Sequence, residues 1–220
     1  MMNKVKQFGE TVEGYNIPVL NEREIRASAG ILFLFIFISW MLIIFKENYL
    51  LIKYVNTIFL TDFTIRLLID PKYSPSLIIG RLIVRRQKPE YVGAVQKKFA
   101  WKIGLVLAAI MFLLMVVINS YGLITGLICL TCLTFLFFES VFGICLGCSF
   151  YGWLYKEKAQ HCPGDICDVK ARQEIQKTSL VQIGILIGLV PYVLTIAFLF
   201  NDRFSAQPIQ LWILLKSFFH

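Results

Sequence analysis

Long apolar runs, broken only by short or basic connections, limit this chain to very few folds. Five stretches approach the length of about 20 residues that a helix needs to cross the hydrocarbon. They are Ser28–Phe45, Asn48–Ile69, Ala100–Ile118, Gly122–Phe142 and Leu180–Phe200. The second is the least clean, since it holds Lys53, Asp62 and Arg66. A chain in lipid must satisfy its backbone polar groups internally, and runs of this length do so as helices. The expected class is therefore an all-α integral membrane protein, a bundle of about five transmembrane helices. Composition agrees: the chain is 57% hydrophobic, against about 45–50% in soluble domains. A net charge of +8 then reads as residues flanking spans, where Lys and Arg set topology and meet anionic lipid, rather than as nucleic-acid binding.

The first 27 residues are polar and of mixed charge. They lack the apolar core of a cleavable signal, so the first run is expected to be retained and to act as the targeting signal. Lys and Arg are distributed unevenly between the connections. Lys4, Lys6, Arg23 and Arg26 precede the first span. Lys72, Arg81, Arg85, Arg86, Lys88, Lys97 and Lys98 lie in 70–99, and Lys156, Lys158, Lys170, Arg172 and Lys177 in 154–179. The other side carries Lys46, Arg203 and Lys216. Positive charge stays inside, so the N-terminus is expected in the cytoplasm and the C-terminus outside. The organisation expected is a cytoplasmic tail (1–27), a four-span core (28–155), a cytoplasmic cysteine-containing loop (156–179), a fifth span (180–200) and a short external interfacial tail (201–220). Residues 76–86, SLIIGRLIVRR, are expected to lie along the inner surface with their basic groups at headgroup level.

Three G-x-x-x-G spacings, Gly122/Gly126, Gly143/Gly147 and Gly184/Gly188, allow close helix approach in lipid. They suit packing within the chain or a homodimer. Asp62 and Arg66 are four apart and so share a helix face. A buried charge in a membrane is costly without a partner. One reading has Arg66 and Lys102 snorkelling to the interface while Asp62 is neutralised by Arg66. The other makes Asp62, Arg66, Lys102 and Glu139 an intramembrane polar site. Glu139 has no cation nearby in sequence, so either a basic residue of another span reaches it or burial keeps it protonated.

Six cysteines fall in three pairs. Cys129 and Cys132 lie mid-span, where Cβ atoms three apart are about 5–6 Å from each other. A disulfide wants about 3.5–4.5 Å, so these two read as small buried residues. Cys145 and Cys148 sit at the inner end of the fourth span, between glycines that let the backbone turn. Redox C-x-x-C pairs need such access. On a straight helix Cys148 would lie opposite Glu139, and only a bend near Gly143 would bring that carboxylate to the pair. Cys162 and Cys167 follow in HCPGDICD, a turn. The four thiols Cys145, Cys148, Cys162 and Cys167 also approximate a zinc-knuckle spacing, departing from it in the second pair. An iron–sulfur cluster is a further use of four thiolates.

PVLNEREIRASAGILF (18–33), DFTIR (62–66), PEYVGAVQKKFAWKIG (89–104) and ESVFGICLGC (139–148) together resemble an uncharacterised bacterial integral-membrane family, domain of unknown function 4395. The resemblance covers about Pro18 to Tyr155. It implies a multi-span protein of the bacterial inner membrane and points to a soluble thioredoxin-like or sulfurtransferase-like partner. It implies no activity. Asp62, Arg66, Glu139, Cys145 and Cys148 all fall inside the matching stretches.

Three functions stand side by side at this level. The first is a cytoplasm-facing thiol site for thiol–disulfide exchange or sulfur relay, with Cys145 or Cys148 attacking and Cys162 and Cys167 resolving. The second is a small-anion or sulfur-compound transporter component lined by Asp62, Arg66 and Glu139. The third is a structural protein with zinc or an iron–sulfur cluster on Cys145, Cys148, Cys162 and Cys167.

Overall fold

In the computed structural model, residues 8–12, 17–149 and 178–211 are described below. They fold as a helical bundle. Helix α1 (Glu22–Lys46) begins where the Asn21 side chain accepts the Arg23 N–H, with Glu22 and Glu24 in its first turn and Lys46 in its last. Acidic groups at the start and a base at the end complement the helix dipole. Helix α2 (Leu50–Thr64) continues as a π-helical turn, Ile65–Ile69. Helices α4 (Ala94–Phe112) and α5 (Leu123–Phe137) likewise end in π turns, Leu113–Val117 and Phe138–Phe142. Helix α6 spans Leu180–Ser205. Among the described residues, α1, α4 and α5 with their extensions, and α6, are long and apolar enough to cross a membrane. The run 50–69 has the length as well, but carries Lys53, Asp62 and Arg66.

These five helical runs alternate in direction. At one end gather the start of α1, the strand pair β1 (Val19–Asn21) and β2 (Tyr91–Gly93), the start of α4 and the end of α5. The start of α6 joins them, Gln182 Nε2 donating to the Lys72 carbonyl at 2.8 Å. At the opposite end Lys53 Nζ donates to Asn119 Oδ1 (2.7 Å) and to the Ala206 carbonyl (2.8 Å). There β3 (Ser120–Tyr121) pairs with β4 (Ile209–Gln210). The main core lies between α1, α2, α4 and α5, and includes Leu32, Ile36, Phe59, Phe63, Trp101, Met111 and Leu136. Phe45, Leu123, Val190 and Phe198 point outward. Apolar groups on the outside and a packed interior give the architecture of a multi-pass membrane protein.

The helices run further than the expected spans: α1 starts at Glu22 and α4 at Ala94, six residues ahead of each, and Glu22, Glu24 and Lys97 in these first turns are paired inside the bundle. Residues 76–86 keep Arg85 and Arg86 exposed, as a segment at the inner surface would, but Arg81 turns inward. Helix α3 (Pro75–Val84) packs against α1, and Arg81 is buried between Glu24 (3.1 Å) and Glu10 (3.4 Å). Gly80 makes this possible: a Cβ there would stand 2.5 Å from the Glu24 carbonyl oxygen. The glycine pairs differ in use. Gly147 packs on Ala100, whereas among the described residues nothing stands within 4 Å of a Cβ built at Gly126, Gly184 or Gly188.

Candidate functional site

Two buried charge clusters and a pair of thiols converge at the end where α1 begins. The first cluster centres on Asp62. The chain descends α2, turns through Pro71–Tyr73 and rises again, so that Ser74 and Ser76 at the start of α3 reach the level of Asp62. Asp62 Oδ1 accepts from Ser74 Oγ (2.7 Å) and the Ser76 N–H (2.9 Å). Oδ2 accepts from Ser76 Oγ (2.7 Å) and Arg66 Nε (2.8 Å). The carboxylate therefore faces the N-terminus of a ten-residue helix, whose dipole favours negative charge. Arg66 also donates through Nη2 to Ser28 Oγ (2.7 Å) and to Ser76 Oγ. Its guanidinium lies over Phe63 and Trp101, at 4.6 and 5.0 Å from the ring centres, so aromatic faces add to the stabilisation of the cation. Both side chains are buried, Arg66 at 2% exposure. Arg66 does not snorkel; it is held inside by its partners.

The second cluster centres on Lys97, one turn into α4 and 1% exposed. Its ammonium lies 2.8 Å from Glu22 Oε2 and bonds Glu139. The cation that Glu139 needs thus comes from another span. Lys102, expected as a member of the polar site, is exposed and belongs to no such pair among the described residues. Helical periodicity explains why Lys97 points inward and Lys102 does not. Positions five apart on a helix are about 140° apart in direction, so Lys97 and Lys102 face different ways.

Helix α5 ends after Glu139. Gly143 takes φ +68°, a left-handed conformation that non-glycine residues rarely adopt. A Cβ at Gly143 would also stand 3.1 Å from the Arg26 guanidinium, which donates to the Val141 carbonyl. The chain bends here and a helical turn resumes at 146–149. The bend is the one that Glu139 requires to reach the thiols. Cys145 precedes the new turn. Its Sγ accepts the Cys148 N–H at 3.3 Å, and its carbonyl accepts the Ser149 N–H at 2.9 Å. Cys145 and Cys148 are both free thiols and both buried. The contact with Cys148 and then burial push the Cys145 thiol well above its ordinary value, while the Lys97 charge pulls the other way.

Arg66, Glu139 and Cys145 line one cavity of about 60 Å³. Its remaining walls are mainly apolar, with Leu32, Phe59, Phe63, Trp101 and Leu136 among them. Cys132 also reaches it, while Cys129 lines a smaller neighbouring cavity and is buried. Asp62 does not line the cavity; it acts on it through Arg66. The segment at Phe8 closes over this end, its ring packing edge-on against Trp101 at 5.9 Å.

The expected site therefore divides. Arg66, Glu139 and Cys145 come together, Cys148 sits behind Cys145, Asp62 holds Arg66, and Lys102 is elsewhere. Cys162 and Cys167 lie outside the described residues, and with them the expected zinc or iron–sulfur arrangement. Among the described residues no group of three or more His, Cys, Asp or Glu side chains is placed to hold a metal ion. Ser28, Ser74, Ser76, Trp101, Lys97 and Glu22 were not legible as site residues, since only the fold brings them there. Searches of curated proteins and of solved structures give no match. A scan against protein families matches residues 20–156, which holds every group of the site among the described residues except Phe8. The chain belongs to the family described as Domain of unknown function (DUF4395).

Proposed function

We propose that this protein is a thiol–disulfide oxidoreductase of the bacterial inner membrane, with Cys145 and Cys148 as its working pair. The observation that carries the reading is the placement of Cys145. Its sulfur accepts the Cys148 N–H and lines a cavity shared with a carboxylate and a guanidinium. Dithiol redox chemistry needs an attacking sulfur, a second thiol close behind it and a place for the proton. The contact with Cys148 and then burial raise the Cys145 thiol, so attack calls for a local proton acceptor, and Glu139 is the carboxylate that lines the same cavity.

The oxidising half-cycle balances as follows. The Cys145 sulfur, as its proton passes to Glu139, attacks one sulfur of an acceptor disulfide. The acceptor S–S bond breaks, a mixed disulfide forms, and the first acceptor sulfur takes the proton from Glu139 and leaves as a thiol. Cys148 then attacks the Cys145 sulfur and releases the second acceptor sulfur as a thiol. Two electrons pass to the acceptor, and the chain holds a Cys145–Cys148 disulfide. Cys162 and Cys167 are assigned in this reading to resolve that disulfide or to meet a soluble thioredoxin-like partner. The Lys and Arg distribution supports a cytoplasmic placement of this end of the bundle.

The transporter reading has less support. Asp62 accepts four hydrogen bonds from the protein, and a fully bonded carboxylate has little capacity left for a cargo.

The test is a redox titration of the full-length, detergent-solubilised protein against dithiothreitol couples. Thiols are read by maleimide mass shift and peptide mapping, with metal content measured on the same sample. A Cys145–Cys148 disulfide that forms reversibly, and is lost in Cys148→Ser, is the expected result. Four unreactive thiols with stoichiometric zinc or iron would replace this reading with the metal-site one. Absence of any 145–148 linkage across the titration would end it.

A further inference from the structure

The dithiol needs an oxidant, and the surroundings of Cys145 restrict what can reach it. Cys145 is 9% exposed and Cys148 8%. A disulfide on another protein must bring a sulfur into line with the attacking sulfur, so burial slows that exchange more than it slows reaction with a small oxidant. The cavity at Cys145 has room for about 60 Å³. One water needs roughly 10–15 Å³ by this kind of measure, so the space suits an occupant of a few heavy atoms.

The polar groups on its wall narrow the chemistry. Arg66 donates through Nε and Nη2 to Asp62 and the three serines. Its Nη1 makes no hydrogen bond among the described residues, although the side chain is almost wholly buried and lines the cavity. Glu139 gives Oε1 to Lys97; Oε2 has no hydrogen-bond partner among the described residues. The cavity is therefore lined by a residue with a spare cationic donor, a residue with a spare anionic acceptor and two thiols, of which Cys145 is the one with a second thiol, Cys148, hydrogen-bonded to it. A simple anion would meet the guanidinium but be repelled by the carboxylate. A molecule that both accepts and donates satisfies the two together.

We infer that the cavity admits a small hydroperoxide as oxidant of the Cys145–Cys148 pair, with Arg66 and Glu139 as its polar contacts. The inference rests on the dithiol reading above. The Cys145 sulfur attacks one peroxide oxygen, and its proton is handed on through Glu139. The O–O bond breaks, an S–O bond forms, and the departing oxygen takes the proton and leaves as water. Arg66 faces the charge that develops on that oxygen, where a fixed donor is most effective. Cys145 is now a sulfenic acid. Cys148 attacks its sulfur, and the hydroxyl leaves as a second water with the Cys148 proton. Two thiols and one hydrogen peroxide become one disulfide and two waters, so the electrons balance. Re-reduction by a dithiol closes the cycle.

The experiment uses the reduced full-length protein and three oxidants: hydrogen peroxide, cumene hydroperoxide and oxidised glutathione. In Cys148→Ser the sulfenic acid cannot be resolved by its neighbour, and dimedone should tag Cys145. Oxidation of Cys145 by hydrogen peroxide is expected about 10²-fold faster than that of a free thiol, the scale of one preorganised donor. Cumene hydroperoxide, too large for the cavity, should be slower by at least about tenfold, a difference of about 1.4 kcal/mol in barrier. Arg66→Lys should lose most of the peroxide rate. If that variant does not fold, the selectivity between the two hydroperoxides in the unmodified chain still decides. Oxidation by glutathione disulfide, with peroxide no faster than on a free thiol, overturns the peroxide assignment and leaves the dithiol reading intact. No 145–148 disulfide with any oxidant overturns both.

Discussion

Asp62 shows how a single carboxyl group can be fully hydrogen-bonded inside an apolar bundle. Four donors and a helix N-terminus replace the water it has lost. Such an arrangement is costly to break from one side. Asp62→Asn removes the charge and leaves Arg66 buried without its counter-ion. Losing one partner of a buried pair costs about 3–5 kcal/mol. A large drop in detergent melting temperature is expected, and a melting temperature within a degree or two of the parent would contradict the role given to the pair. The i,i+4 spacing of Asp62 and Arg66 was readable in advance, because a helix places such residues together whatever surrounds it. The three serines were not, since Ser28 lies 38 residues from Arg66 in the chain and nothing local marks a hydroxyl as a ligand to a guanidinium. Glu139 presented two outcomes, and the choice between them needed a residue on a different span.

At the scale of elements, two glycines shape the site. Gly143 ends α5 by turning left-handed, and Gly80 lets α3 settle against α1. Helix α3 carries Ser76 and Arg81, so its seat on α1 sets both the Asp62 cluster and the Glu24–Arg81 pair. Gly80→Val would drive a side chain into the Glu24 carbonyl. Overpacking of this kind costs about 1–3 kcal/mol, and α3 has to move away for the chain to relieve it. Faster amide exchange along 75–84, with α4 and α5 unchanged, is the expected signature in hydrogen-exchange mass spectrometry. Uniform exchange across the protein would show that α3 does not depend on this contact. Amphipathicity alone suggested a surface helix here, because an apolar face packs equally well on lipid or on a neighbouring helix. The glycine facing a backbone carbonyl shows that one face of α3 packs on α1, and that facing is a tertiary fact.

For the molecule as a whole, five helical runs alternate in direction and bring the basic stretch 70–99 to the end that holds the site. The proposed orientation makes a direct prediction. In a background without native cysteines, Glu47→Cys should react with a membrane-impermeant maleimide added outside intact cells, and Gln87→Cys only after the membrane is opened. The reverse pattern would place the site outside, in an oxidising compartment where a standing disulfide is the ordinary state of paired thiols. Hydropathy and the distribution of Lys and Arg were enough for the helical class, the alternation and the expected sidedness. These follow from lipid acting as solvent on every segment separately, so they need no knowledge of which helix touches which. The site is of a different kind. Lys97 instead of Lys102, Arg81 inside instead of at the surface, and Arg66, Glu139 and Cys145 around one cavity depend on contacts between residues far apart in the chain. Burial assigns each charge the partner that can reach it, and only the packed bundle determines which partner that is.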